Sequence, residues 1–305
     1  MKVATSIYRA GLKSYETATS LLYSALRFRR RARMAFRMDD GTRADAVVVA
    51  MNGPTLAEDL GRIDANFPAE TRIDYAVANH FADTKYFAMR RPTHYFFSDP
   101  YFWDDASDPV LIEKRIATFD RIVQETRWPI RVYFPAHANP ATLVDHFSDN
   151  EMIKLHPFNA ASLPAEYSSL LGAVWKNDLC APYGQNVLIH AIYGCIQLGY
   201  CQIGVAGAGF SFHEQIHVDQ DDNTFMQHRR HVYGESTERA YVDQKQTKHA
   251  AVSNEFKALY NAFRSLEAVS TYACLRGCEV VNYSNYSYLD MFDRPDGQGV
   301  SAGQR

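Results

Sequence analysis

The chain has 305 residues, 47% of them hydrophobic, enough to bury a substantial core in one large domain or in one domain with appendages. Its 32 basic and 35 acidic residues leave a net charge of -3, so the overall balance gives no reason to invoke nucleic acid or another polyanion as partner. Cys180, Cys195, Cys201, Cys274 and Cys278 form an odd set with no CxxC pair and no zinc-like spacing, which fits reduced thiols and a cytoplasmic location. No stretch approaches the roughly 20 apolar residues of a membrane span, and residues 1–9 lack the layout of a secretion signal.

Residues 1–42 stand apart as a basic extension. Helical apolar spacing runs through residues 8–38 together with Arg27, Arg29, Arg30, Arg31, Arg33 and Arg37. Such a helix either lies on an anionic membrane surface, at the inner face of the cytoplasmic membrane, or packs on its own domain. In the first case Leu21, Leu22, Leu26 and Phe28 turn inward.

After the turn "DDGT", residues 44–50 are valine-rich and apolar on both faces, the pattern of a central parallel strand. "IDYAVANHF" (73–81), "THYFFSDPYF" (93–102) and "IRVYFPAH" (130–137) read as further strands, with a helix over 109–126. Pro140, Pro157 and Pro164 interrupt residues 138–182, which read as a lid or loop-rich insertion. A helix over 186–198 leads into the strand "CQIGVAGAG", residues 212–250 form a second lid, and a helix over 254–277 precedes the strand "CEVVNYS". The tail 295–305 reads as disordered. Strands and helices in alternation predict an α/β fold for 43–294: a Rossmann-like, mostly parallel sheet flanked by helices.

Candidate site residues fall at strand ends. In "AMNGPTL" a strand breaks into a turn that feeds a helix, leaving unpaired amides where the helix dipole favours an anion such as phosphate. Gly53 lets backbone approach a ligand, Pro54 suits a first helical turn, Thr55 offers a hydroxyl, and Asn52 supplies a donor and an acceptor. A plain strand-turn-helix junction is the competing reading. Asn79 and His80 follow "YAVA", and Ser98 with Asp99 follows "HYFF"; on parallel neighbours these groups share one edge. Gln185 and Asn186 precede the helix over 186–198, within which His190 reads as a core histidine. "DQDDN" (219–223) reads as a solvated acidic turn rather than a metal site. Ser284, Asn285 and Ser287 follow the last strand among Tyr283, Tyr286 and Tyr288, which read as packing or a sugar platform.

"NGPTL", "ANHF", "SDP", "LGYCQIGVAGAGF", "HVYGES" and "VVNYSNYSYLDMF", in that order, resemble bacterial sialyltransferases of glycosyltransferase family 42 and related capsule and lipopolysaccharide biosynthesis proteins. The resemblance spans roughly residues 45–293. It implies a GT-A-like variant of the Rossmann fold, no cofactor or metal, and a CMP-activated sugar, sialic acid or another ulosonic acid, as donor. The acceptor it implies is a surface glycan or lipid-linked glycan.

Residue by residue, the resemblance places Asn52, Gly53, Pro54, Thr55, Asn79 and Ser98 at the nucleotide, Ser98 standing where the family has asparagine. His80, Gln185, Asn186, Ser284 and Ser287 complete the expected nucleotide-binding set. The family's "HYIGH" carries its general base last; here the stretch is His231, Val232, Tyr233, Gly234, Glu235, so the base is His231 or Glu235. Tyr233, Arg229 and Arg230 are candidates to steady the leaving phosphate. Two alternatives stand beside this reading: another phospho- or pyrophosphotransferase on the same scaffold, and a noncatalytic partner in polysaccharide assembly. The oligomeric state is open, a homo-oligomer included.

Overall fold

The computed structural model describes residues 2–27, 36–38, 43–229, 237–240 and 251–295. Seven strands form one wholly parallel sheet: β1 (Ala46–Ala50), β2 (Ile73–Ala78), β3 (His94–Phe96), β4 (Ile130–Pro135), β5 (Ile153–Phe158), β6 (Gln202–Ala206) and β10 (Glu279–Asn282), in the order β10-β6-β1-β2-β3-β4-β5. The expected Rossmann-like sheet flanked by helices is therefore present. β1 is buried at every position because both of its faces are covered, and valine suits such a strand.

Alternation along the strands sorts side chains into two cores. Val47, Val49, Ala76, Ala78 and Phe96 face α7 (Val187–Gln197) and α8 (Val252–Leu275), while Val48, Ala50, Val77 and Phe97 face α2 (Leu56–Asn66) and α4 (Pro109–Glu125). Phe36 fills the first core, with ring centroids 5.2 Å from Tyr133, 5.5 Å from Phe158 and 5.6 Å from Tyr193. Aromatic pairs of this kind contribute about 0.5–1.5 kcal/mol beyond area burial.

Residues 138–182 depart from the loop-rich expectation. They hold α5 (Ala141–Phe147), β5 and α6 (Ser169–Lys176), and Pro157 sits inside β5. β5 is the edge of the sheet, where a proline that cannot donate does no harm. Within 212–250 a separate antiparallel sheet forms from β7 (Ile216–Val218), β8 (Phe225–Arg229) and β9 (Thr237–Ala240). A five-residue helix, α3 (Tyr86–Arg90), precedes β3.

The N-terminal helix α1 (Lys2–Arg27) is 26 residues long and docks by one side only. Thr17 bonds Ser168 at 3.2 Å, Ser24 donates to the Ala161 carbonyl at 2.6 Å, and Glu16 pairs with Arg264 of α8 at 2.7 Å. Of the arginines expected on this segment, Arg29, Arg30, Arg31 and Arg33 lie outside the described residues. Among the described residues no helix is long and apolar enough to cross a membrane.

Candidate functional site

β1 is followed in space by β2 on one side and by β6 on the other, so the chain reverses direction of sheet growth between β1 and β6. Open parallel sheets bind ligands outside the carboxyl ends of strands at such a point. Because every strand is parallel, the segments after β1, β2, β3, β6 and β10 all end on this one edge.

The β1, β6 and β10 tips are bound tightly to one another. Gly53 N–H donates to the Gly207 carbonyl at 2.8 Å, and Met51 N–H to that of Ala206 at 2.8 Å, extending the ladder past the strands. A Cβ on Gly53 would collide with the Gly207 carbonyl oxygen, and one on Gly207, at φ +64, with that of Met51. Gly53 is thus needed for backbone packed on backbone, and its N–H is not an unpaired amide awaiting an anion. Beneath the turn lies Asp59, fully buried on the inner face of α2. Its carboxylate accepts from Gly207 N at 2.8 Å, Asn285 N at 2.7 Å and Thr55 Oγ1 at 2.8 Å. Burial raises its pKa, opposed by those hydrogen bonds and the charge of Arg62.

The two β10 serines join the same bracket. Ser284 Oγ accepts from Ala208 N at 3.0 Å, while Ser287 Oγ donates to the Ala208 carbonyl at 2.7 Å and accepts from Asn282 at 3.0 Å. Thr55, Ser284 and Ser287 therefore have structural bonds for their hydroxyls. Pro54 is exposed in the turn itself.

Across β1, β2 and β3 the picture is different. The β1–β2 register, which pairs Ala50 with Val77, carried two residues on puts Asn52 opposite Asn79. Asn52 Nδ2 reaches the Ala78 carbonyl at 3.5 Å, and Asn79 Nδ2 donates to Asp99 Oδ2 at 2.9 Å. Asn79 has φ 51, a left-handed conformation that asparagine tolerates. The side-chain oxygens of both asparagines are buried with no hydrogen-bond partner among the described residues. A buried acceptor left unmatched costs about 1–3 kcal/mol, so two of them on neighbouring strand tips mark an exception.

Ser98 turns toward α7, sharing the parity of Phe96. Its Oγ lies 2.8 Å from His190 Nδ1, and His190 Nε2 lies 3.2 Å from the Pro182 carbonyl. A carbonyl only accepts, so Nε2 carries the proton and Nδ1 accepts from the serine. Burial lowers the His190 pKa to about 4 and keeps the ring neutral. Gly184 backs the ring so closely that a Cβ would overlap it. His190 is the satisfied core histidine expected, and it also fixes the direction of the Ser98 hydroxyl.

No protein-family model and no curated protein matches the chain.

Other expected residues have local partners. His80 is buried under α4, its Nδ1 2.6 Å from Thr118 Oγ1 and its Nε2 2.9 Å from the Tyr101 hydroxyl, so both ring nitrogens point into the domain. Asn186 caps α7 by accepting from Leu188 N at 2.9 Å, a role its helix-start position allows. Gln185 is exposed and accepts from the Tyr183 hydroxyl at 3.0 Å. In the acidic turn, Asp219 and Asp222 accept from the amides of Asp221 and Thr224 at 2.8 Å, as hairpin-forming carboxylates do. Tyr283 is buried, while Tyr286 and Tyr288 are exposed and share Glu214 Oε1, Tyr288 at 2.5 Å. Arg229 ends β8, paired with Thr237, and Arg230, His231, Tyr233 and Glu235 lie outside the described residues. A small cleft lies beneath α1, between Ser20, Ser162, Trp175 and Ser265, not on the strand tips.

Asp59 is the residue whose importance the sequence reading missed. For Asp59 a signal existed: it falls on the apolar stripe Leu56, Leu60 and Ile63 of α2, and a carboxylate on a buried helix face must be answered by donors.

Proposed function

We propose that the protein is a glycosyltransferase that moves a sugar, sialic acid or another ulosonic acid, from a CMP-activated donor to a surface or lipid-linked glycan without a metal. The observation that carries the reading is the pair of buried, unmatched carboxamide oxygens of Asn52 and Asn79 beside the β1/β6 reversal. Acceptors of this kind suit hydroxyl or amino groups of a nucleoside rather than phosphate oxygens, which themselves only accept. The expectation that the Asn52 turn grips phosphate through free amides is accordingly replaced, at Gly53, by one in which Asn52 and Asn79 meet donor groups.

In the proposed reaction the acceptor hydroxyl attacks the anomeric carbon of the donor, its proton passing to His231 or Glu235, while the carbon–oxygen bond to CMP breaks and CMP leaves with that electron pair. Arg229, Arg230 and Tyr233 are the groups proposed to meet the charge on the departing phosphate. Calorimetry with CMP, UMP and GMP on the folded chain tests the donor class: the reading expects CMP to bind most tightly, and absence of CMP binding argues against it.

A further inference from the structure

We infer that α1 is a dimerisation helix that pairs with α1 of a second copy of this chain. The helix is about 39 Å long at 1.5 Å per residue, yet its docked contacts begin only near Glu16. From Ser6 to Leu12 every residue is exposed, so these turns project beyond the docked part of the helix. On the side away from the domain, Thr5, Tyr8, Leu12, Tyr15, Thr19, Leu22 and Leu26 follow one another at alternating steps of three and four residues. Large apolar side chains occupy five of these positions and stay open: Tyr8 is 69% exposed, Tyr15 67%, Leu22 61%, Leu26 73% and Leu12 41%.

The spacing decides the occupant. A mean step of 3.5 residues is the seam of a coiled coil; a straight helix drifts about 20° per heptad against it, so the seam stays aligned only with another helix wound round it. Here the seam is bordered on one side by Gly11, Ala18 and Ala25, again seven apart, and a Cβ on Gly11 would meet open space. Small residues there let a second backbone come close. No charged residue stands on the seam or on that border; the other border carries Arg9, which is exposed, and Glu16, which is held by Arg264 of its own domain.

The area suffices. Each tyrosine carries about 150–250 Å², and with the leucines two copies of the seam cover on the order of 1,200 Å², above the roughly 1,000 Å² a specific interface needs. Joined about a two-fold axis, the same patch serves both partners. Ile7, 68% exposed but off the seam, supplies an internal control.

The test is sedimentation velocity on the full chain at micromolar concentration, beside the double variant Leu12→Glu/Leu22→Glu and the control Ile7→Glu, with thermal melts confirming that all three fold. We expect the wild type and Ile7→Glu to sediment at twice the chain mass, and the double variant to be monomeric with its melting temperature kept. A monomeric wild type, or a double variant that remains dimeric, overturns the inference. So does a monomeric wild type that co-sediments with phosphatidylcholine–phosphatidylserine vesicles through Leu12 and Leu22, which would assign the face to a lipid surface.

Discussion

Two stretches of the same sheet edge differ in how their polar groups are answered. At the β1, β6 and β10 tips, the Asp59 carboxylate takes two backbone amides and a hydroxyl, while Ser284 accepts from the Ala208 N–H and Ser287 donates to the Ala208 carbonyl. At the β1 and β2 tips, Asn52 and Asn79 each spend the amide nitrogen and leave the oxygen unmatched. The first stretch is a clamp that fixes where three strands end. The second leaves two buried acceptor oxygens that no described residue answers.

If that division holds, the largest effects on stability come from the clamp. Asp59→Ala strands the Gly207 and Asn285 amides in a buried site at about 1–3 kcal/mol each, and urea unfolding should show a loss of about 3 kcal/mol or more. Gly53→Ala, which drives a methyl into the Gly207 carbonyl, should be destabilising by a similar amount. A variant at either position that melts like the wild type would dissolve the clamp.

Acid comes next. His190 and His94, both buried, have pKa values lowered to about 4 and about 3, so the unfolded chain binds these protons first. Stability is complete above the unfolded value near 6.5 and falls as pH drops toward 4, His190 alone contributing up to about 3 kcal/mol. Asp59 has the opposite sign. Its raised pKa means the folded state holds the proton more tightly than the unfolded chain, so its contribution is full below 3.8 and is lost as pH rises through the raised value. Urea midpoints measured across pH should therefore show Asp59→Asn and His190→Gln flattening different limbs of the profile.

Smaller still is Ser98→Ala, which leaves His190 Nδ1 without its donor and should cost about 1–2 kcal/mol by the same assay. Asn52→Ala should change stability least, within about 1 kcal/mol, since it removes an unmatched oxygen and one long bond; Asn79→Gly keeps the φ of Asn79 but also removes the donor to Asp99 and should cost about 1–2 kcal/mol. Losses as large as that of Asp59→Ala would erase the contrast between the two stretches.

Much of the fold was legible in the chain. The run "AVVVA" announced a strand buried on both faces, and Asn186 announced the start of α7. β5 was hidden because Pro157 argues against a strand unless its edge position is known, and that position depends on packing with β4. The strand-tip asparagines were visible as an interrupted apolar run, but their division from Thr55, Ser284 and Ser287 was not: whether a hydroxyl is already bonded is decided by partners 79 residues away in sequence for Ser287 and 76 for Ser284. His80 misled for the same reason, since Thr118 and Tyr101 belong to elements the local sequence does not name.

The proposed reading gives the nucleotide to Asn52 and Asn79 and leaves Asp59 to hold the fold. Titrating CMP by calorimetry into the wild type, Asn52→Ala and Asn79→Gly tests it most directly. Saturable binding by the wild type and at least about tenfold weaker binding by each folded variant, equivalent to about 1.4 kcal/mol, is expected. Equal CMP affinity in all three proteins would contradict it.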